Sequence, residues 1–346
     1  MYQNYKIIVN TAAGRRRYMQ YLIPYIVSSE VVDRYDIWIN THNGADIEFF
    51  KRIADAFPKV NLVWQPDGVV NGNKSINAFY KACIEPDTIY FKLDDDIVWM
   101  EPGLIEKMVR FRVDNPQYFL VSPLVINNAL STYLLEVDGK IGLDDYYNSY
   151  ASHPVLWKSG VFAQELHSWF LNKYLKTGKW EELHLGRKEM GMTRFSINSV
   201  MWFGDEMRKF SGVVPGDDEE FLSCIDPTRQ GMSNAWNGDA IVAHFAFFTQ
   251  REELDRKGIL EQYGEVCAVQ WHGDEKSAAV YDAVQDILRN VNADEAGLMK
   301  RESPYKRVAT PVTAKRKIKK FIPQVLLDLR AFWMGRKEKD RSGYIR

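Results

Sequence analysis

Three consecutive aspartates, Asp94, Asp95 and Asp96, are the residues of this sequence whose types and spacing are best suited to chemistry. They directly follow the apolar segment 88–93 (TIYFKL), which has the composition of a buried strand. Because side chains two residues apart on an extended backbone lie on the same side, Asp94 and Asp96 are predicted to converge while Asp95 points away. Carboxylate oxygens are the ligands that Mg²⁺ and Mn²⁺ prefer. The triplet therefore predicts a cation site that binds a diphosphate, and the alternative is a solvated acidic turn.

A second acidic run, Asp217, Asp218, Glu219 and Glu220, follows a Pro-Gly pair. A helix that begins near Asp217 would be favoured by these carboxylates, because they interact well with the positive end of the helix dipole. The same geometry can also place a carboxylate at a cleft, where it could accept a proton from a hydroxyl group. Both interpretations stay open at this point.

The elements that must position these residues alternate along the first half of the chain. Strands are predicted at 6–10, 35–40, 60–64, 88–93 and 119–123, and helices at 15–28, 47–56, 74–83 and 104–113. This alternation predicts an α/β fold with a mostly parallel sheet flanked by helices. Ligands of such sheets bind outside the carboxyl ends of the strands, where the Asp triplet lies. Residues 127–215 are expected to be less regular, and residues 250–292 to be helical.

The segment TIYFKLDDDIVWMEPGLIEKMV resembles the DxD region of GT-A fold glycosyltransferases, which have an apolar strand, the DxD acids, a short gap, Pro-Gly and a helix in this order. The upstream NGNKSINAFYKAC is similar to the helix that precedes this strand in family-2-like members. The resemblance covers roughly residues 5–125 and implies a GT-A, Rossmann-like domain. It implies that Asp96 and Asp94 bind Mn²⁺ or Mg²⁺, and that Asp94 and Asp95 contact a nucleotide-sugar, most simply a UDP-sugar.

The resemblance also gives roles to residues later in the chain. GT-A enzymes carry an acidic pair at a helix start below the acceptor, which implies that Asp218, or secondly Asp217, is the catalytic base. Many of them carry a late histidine that ligates the metal, and His244 follows the acidic run in that order. Neutral imidazole can complete a carboxylate site for Mn²⁺, whereas a histidine in an apolar run such as AIVAHF is otherwise an ordinary core residue.

Contacts to the donor are expected from polar residues at the ends of the first strands and in the helix before the triplet. The residues predicted to make them are Thr11, Arg15, Asp67 and Lys74.

Composition bounds the setting of the protein. The 346 residues have a net charge of −1, but residues 300–346 hold 15 Lys and Arg against 4 Asp and Glu. Three cysteines without CxxC spacing favour a reducing compartment and argue against a disulfide scaffold or a structural zinc. The apolar N-terminus resembles a strand rather than a signal peptide, and no apolar run is long enough to span a membrane. A cytoplasmic protein is predicted.

The basic C-terminal segment has apolar residues at three- and four-residue steps over 315–337, which predicts an amphipathic helix. Such a helix suits an anionic membrane surface, on the inner face of the membrane, and equally suits docking on the domain. Nucleic-acid binding is not expected, because the body of the chain is acidic.

The sequence therefore predicts a GT-A domain over 1–300, with a nucleotide-sugar half (1–125) and an acceptor half (126–300), followed by a basic linker and amphipathic helix over 301–346. The predicted function is metal-dependent transfer of a sugar from a nucleotide-sugar to a glycan or a lipid-linked acceptor, as in surface polysaccharide synthesis. One alternative is a sugar-nucleotidyltransferase of related fold, because 12–17 (AAGRRR) faintly resembles the loop of such enzymes. Another is a non-catalytic carbohydrate-binding or assembly protein.

Overall fold

The computed structural model describes residues 1–70, 73–306 and 342–346. Within these ranges, nine strands form one sheet. The strands are β1 (Lys6–Ala13), β2 (Arg34–Ile39), β3 (Val60–Val63), β4 (Thr88–Leu93), β5 (Ile97–Met100), β6 (Tyr118–Ile126), β7 (Arg187–Gly191), β8 (Ser199–Phe203) and β9 (Ser233–His244). The helices are α1 (Arg16–Ser28), α2 (Gly44–Ala56), α3 (Asn73–Tyr80), α4 (Leu104–Asp114), α5 (Ala129–Val137), α6 (Pro154–Lys158), α7 (Gly160–Phe170), α8 (Gly204–Arg208), α9 (Asp218–Glu220), α10 (Asp226–Gln230), α11 (Arg251–Arg256), α12 (Ile259–Trp271), α13 (Glu275–Ala293) and α14 (Glu295–Leu298).

The sheet has the strand order β3-β2-β1-β4-β8-β6-β9-β5, with β7 paired to β9. The first four strands in this order run parallel to one another. β8 enters antiparallel between β4 and β6, β9 runs parallel to β6, and β5 and β7 are antiparallel to β9. The predicted α/β class, with an open and largely parallel sheet flanked by helices, is confirmed.

Helices cover both faces of the sheet because successive residues of a strand point to opposite sides. In β1, Ile7 and Val9 face the larger core cluster, which includes α1, α2 and α13. Ile8 faces the second cluster, which includes Phe79 and Tyr80 of α3. Every residue of β4 is buried. The packed strand therefore fixes the position of the residues that follow its carboxyl end.

The region expected to be irregular contains α5 to α8 and the strand β8, whose sequence SVMWF is buried throughout. A strand that is covered on both faces shows no alternation of polar and apolar residues, which is why the pattern did not reveal it. The helical prediction for 250–292 holds with two breaks, at Gly258 and after Trp271. Gly258 adopts a left-handed backbone with φ of 61°, which ends α11 before α12 begins.

The two described ends of the C-terminal region pack on the domain. Tyr305 is buried, donates its hydroxyl hydrogen to the carbonyl oxygen of Ile39 and accepts from the amide of Gln65. Tyr344 is also buried, and its amide donates to the Glu165 carboxylate at 2.7 Å. The amphipathic helix predicted over 315–337 lies outside the described residues. Among the helices that are described, none is long and apolar enough to cross a membrane.

Candidate active site

The Asp triplet lies at the carboxyl end of β4, but only Asp94 continues the line of the strand. Its amide donates to the carbonyl of Asn198 at 2.8 Å, next to β8. Its carboxylate accepts from the Asn198 side chain at 3.0 Å and from the Lys92 ammonium. Asp95 and Asp96 form a turn that leads into β5 rather than the extended backbone expected from the sequence. The triplet therefore connects β4 to β5, and hydrogen bonds to Asn198 fix Asp94 beside β8.

Asp94, Asp96 and His244 come together nevertheless. Each offers one ligand atom, and these atoms all lie within 4.8 Å of one another. Oδ1 of Asp96 is 3.4 Å from Nε2 of His244, which stands at the end of β9. The imidazole Nδ1 lies 3.2 Å from the carbonyl oxygen of Asn127. A hydrogen bond from Nδ1 to that carbonyl orients the ring with Nε2 towards the carboxylates, and loss of the Nε2 proton would leave its lone pair for a cation, as in most histidine metal sites. Two carboxylates and a neutral imidazole so arranged fit Mn²⁺ or Mg²⁺.

The second oxygen of Asp96 faces two guanidinium groups. Oδ2 accepts from Nη2 of Arg15 at 2.9 Å and lies 3.8 Å from Nη2 of Arg251. Burial would raise the pKa of the Asp96 carboxyl, but Arg15 and His244 outweigh burial and hold this pKa well below its usual range. Conversely, burial tends to lower the pKa of His244, and the Asp96 charge outweighs it, so this pKa is raised. The charged form of Asp96 is thus favoured, with Oδ2 held by Arg15 and Oδ1 facing His244.

Asp95 does not point away from the site as the alternation along a strand predicted. Its Oδ2 accepts from the amide of Gly14 at 2.9 Å and from Nε of Arg15 at 3.1 Å, and its other oxygen pairs with Nη2 of Arg15. Burial raises the pKa of this carboxyl. The turn after β4 directs Asp95 towards the end of β1, where it holds Gly14 and Arg15, and its predicted contact with a nucleotide-sugar stays a prediction.

A cleft of about 590 Å³ opens over these groups. Its lining includes Gly14 and Arg15, all three aspartates of the triplet, His244 and Arg251, together with Asp217 and Asp218 of the second acidic run. The structure thus brings most of the predicted site residues into one cavity, although they extend from Arg15 to His244 in the sequence.

The two candidate bases have different surroundings. Asp217 is the N-cap of α9: its Oδ1 accepts from the amide of Glu220 at 2.9 Å, and its Oδ2 lies 3.3 Å from Arg194. Asp218 accepts from the hydroxyl of Tyr80 at 2.9 Å. Its other oxygen accepts from the amide of Glu219 at 3.1 Å. Asp217 is therefore the helix cap, Asp218 is held by Tyr80 and the Glu219 amide, and both acids line the cleft.

Two of the expected donor contacts, Thr11 and Asp67, are not among the residues that line the cleft, and a third, Lys74, stays a prediction. Thr11 is fully buried within β1, and its hydroxyl oxygen accepts from Tyr35 at 3.0 Å. Asp67 lies in an exposed turn and accepts from the amide of Val69. Lys74 lies near the start of α3, and its side chain is outside the described part of the chain. The ends of strands carry polar residues for many reasons, and turn chemistry accounts for Asp67.

Several residues that line the cleft were given no role from the sequence. Lys92, Asn198 and Arg194 line it, as does Glu219, whose pKa is raised by burial. Arg251 follows His244 by seven residues, and this short separation is the one signal that could have drawn attention to it. Lys92 lies two residues before Asp94 and Glu219 directly follows Asp218, whereas Asn198 reaches the cleft through the pairing of β8 with β4.

His167 supports the loop that follows His244. It is fully buried in α7, and its Nε2 lies 2.8 Å from the carbonyl oxygen of Phe245, while Nδ1 lies 2.8 Å from the hydroxyl of Tyr263. Nε2 therefore donates to the carbonyl and Nδ1 accepts from the hydroxyl. Burial lowers the pKa of His167 to about 3, so this ring stays neutral and in one tautomer.

Acidification is expected to destabilise the fold through His167. The unfolded histidine has a pKa of about 6.5, so between this value and about 3 only the unfolded chain binds the proton. The free energy of unfolding then falls as the pH drops, by at most about 1.4 kcal/mol per pH unit, or roughly 2 kcal/mol between pH 7 and pH 5. Urea unfolding at both pH values should show a smaller loss in His167→Gln. An equal loss in the variant would assign the effect to other groups.

No protein-family model matches the sequence, and no curated protein matches it significantly. Among solved structures, a CMP:2-keto-3-deoxy-manno-octonic acid synthetase complexed with CTP is similar at a TM-score of 0.40 and 10% identity, over 74% of this chain and 99% of the other. A 4-diphosphocytidyl-2C-methyl-D-erythritol synthase from Anaerococcus prevotii is similar at 0.39 and 11% identity, over 75% and 96% of the two chains. A mycobacterial protein is similar at 0.40 and 11% identity, over 77% and 75%. Likenesses of this extent do not define a reaction.

Proposed function

We propose that this chain is a divalent-cation-dependent transferase that acts on a nucleotide-activated donor in the cleft. The observation that carries the proposal is the convergence of Asp94, Asp96 and His244 within 4.8 Å at the carboxyl end of β4. A cation held by these three residues would neutralise the phosphate charge of the donor as its bond breaks. The guanidinium of Arg15, beside Asp96, adds a fixed positive charge at the same place.

The first candidate reaction is glycosyl transfer from a nucleotide-sugar to a hydroxyl group. It is supported by Asp218, which lines the same cleft as the carboxylate triplet. In this reaction the acceptor oxygen attacks the anomeric carbon, the bond from that carbon to the diphosphate breaks, and Asp218 takes the hydroxyl proton. The hydrogen bond from Tyr80 at 2.9 Å fixes the orientation of the Asp218 carboxylate.

The second candidate is nucleotidyl transfer, in which a sugar oxygen attacks a nucleoside triphosphate and pyrophosphate leaves. One observation favours it: Gly14 and Arg15, directly after β1, line the same cleft as the carboxylates. The names of two of the similar structures, the octonic acid synthetase complexed with CTP and the diphosphocytidyl-methylerythritol synthase, also fit nucleotidyl transfer better than glycosyl transfer. Against it, the amide of Gly14 is occupied by Asp95, and the next two cations, Arg16 and Arg17, are paired with carboxylates outside the cleft.

The products distinguish these reactions. The full chain is screened by thermal shift with nucleotide-sugars and nucleoside triphosphates, each with and without Mn²⁺, because a ligand of the folded state raises its melting temperature. The compounds that bind are then incubated with sugar acceptors. Release of a nucleoside diphosphate supports glycosyl transfer, and release of pyrophosphate supports nucleotidyl transfer. A chain that binds neither class of nucleotide with Mn²⁺ contradicts both.

A further inference from the structure

Two arginines of the cleft keep buried donors that no described residue satisfies. Nη1 of Arg15 and Nε of Arg251 are buried atoms without a hydrogen-bond partner among the described residues. Both side chains line the cleft, and both lie beside Oδ2 of Asp96. They approach this one oxygen from different parts of the chain, Arg15 before α1 and Arg251 at the start of α11.

Buried donors of folded proteins are almost always paired, because leaving one unpaired forfeits the hydrogen bonds that it had with water. Guanidinium groups present their N–H atoms in a planar fork that matches the oxygens of a phosphate. Two forks with donors to spare in one cleft therefore indicate an anionic ligand with several oxygen atoms.

The charges around the triplet indicate how much negative charge this ligand carries. Asp94, Asp95 and Asp96 contribute three negative charges, and Arg15, Arg251 and Lys92 contribute three positive ones. Apart from His244, the charged groups around the triplet are thus balanced before any cation binds. A divalent cation adds two positive charges, which a diphosphate group would offset.

The arginines elsewhere on the same elements are bound differently. Arg17 of α1 makes two hydrogen bonds to Asp255, and Arg256 of α11 makes two to Glu253. Arg251 lies 3.8 Å from its carboxylate, beyond a direct hydrogen bond, and its side chain is 38% exposed. Arg251 is therefore held near Asp96 without being satisfied there.

We infer that Arg15 and Arg251 form a clamp for the pyrophosphate group of the ligand, and that this group and the cation bind cooperatively. The inference rests on the proposed function for the cation, and it adds Arg251 as a binding residue and a diphosphate as the group bound. Without the anion, a cation would enter a site whose carboxylates are already neutralised. Without the cation, a diphosphate would add uncompensated negative charge to a site whose own charges already balance.

The test uses the full chain and isothermal titration with inorganic pyrophosphate, alone and as its preformed Mn²⁺ complex. The wild type is expected to bind the complex at least about tenfold more tightly than pyrophosphate alone. Arg251→Ala is expected to weaken binding of the complex by about 10- to 100-fold, as for the loss of a charge-assisted hydrogen bond. Arg251→Lys keeps the positive charge but loses the planar pair of N–H donors. Its affinity for the complex is therefore expected to lie between those of the wild type and Arg251→Ala. Arg256→Ala, on the same helix but outside the cleft, is the matched control and is expected to bind like the wild type.

The outcomes separate this inference from the proposed function. Equal binding of the complex by wild type and Arg251→Ala overturns the clamp even if the wild type proves to transfer a sugar. A wild type that binds no pyrophosphate in either form also overturns it. If Arg251→Ala loses binding while the wild type transfers neither sugar nor nucleotide, the clamp stands and the proposed function fails.

Discussion

Replacing Asp96 by asparagine is expected to lower turnover on the order of a thousandfold and to remove the dependence of nucleotide binding on Mn²⁺. Oδ1 of Asp96 is the oxygen nearest to His244, at 3.4 Å, and Oδ2 is held by Arg15. An amide has the same shape but no charge, so it is a poor ligand for a hard cation. Turnover measured at increasing Mn²⁺ concentration checks the first effect. Thermal shift with nucleotide, with and without Mn²⁺, checks the second.

The matched control for this variant is Asp95→Asn. Asp95 undergoes the same chemical change one residue away, but its carboxylate holds Gly14 and Arg15 and does not belong to the ligand cluster. Turnover in Asp95→Asn should fall by about tenfold through a less well-held Arg15, with the response to Mn²⁺ retained. If Asp95→Asn and Asp96→Asn were equally impaired and equally insensitive to Mn²⁺, the cation would not be held by the proposed residues. Circular dichroism of both variants checks that they fold, since each leaves Arg15 one carboxylate partner.

The part of the site that could be predicted from sequence is the part that local structure determines. An apolar segment that is buried along its whole length ends at Asp94, and an alternating α/β pattern places this end at the ligand-binding edge of the sheet. The conclusion that Asp94 and Asp96 converge was correct although the backbone is a turn, because a turn of this length also keeps the two carboxylates close. The prediction that Asp95 points away was wrong for the same reason. It depended on the alternation of side chains along a strand, and the turn removes that alternation.

The remaining residues depend on long-range pairing, which the sequence pattern does not determine. Asn198 reaches Asp94 because β8 enters the sheet beside β4, and β8 has no alternating pattern. Asn127 has a left-handed backbone with φ of 65°, its carbonyl contacts His244, and its side chain donates to the carbonyl of Phe245 at 3.0 Å. Asparagine tolerates this conformation better than most residues. However, an asparagine between two apolar segments is also typical of an ordinary turn, so only the pairing of β6 with β9 reveals its position.

Replacing Asp218 by asparagine tests whether this residue is the general base. If the reaction is glycosyl transfer with Asp218 as the base, turnover is expected to fall by about 100- to 10,000-fold, the usual contribution of a positioned general base. Binding of the nucleotide-sugar should be unchanged, because the triplet and His244 are untouched. The hydroxyl of Tyr80 can still donate to the amide oxygen of the variant, so the side chain keeps its orientation. Turnover and thermal shift with donor and Mn²⁺, measured on one preparation, separate the chemical step from binding.

Asp217→Asn is the control for this experiment, because it makes the same change one residue away. Asparagine caps helices as well as aspartate does, so the bond to the amide of Glu220 is retained and turnover should stay within about twofold. Full turnover in Asp218→Asn would exclude this residue as the base. Glu219 would then be the next candidate base, because it lines the same cleft and burial raises its pKa. Full turnover in Glu219→Gln as well would leave no carboxylate of this helix start as the proton acceptor, and nucleotidyl transfer or a retaining glycosyl transfer would become the reaction to test.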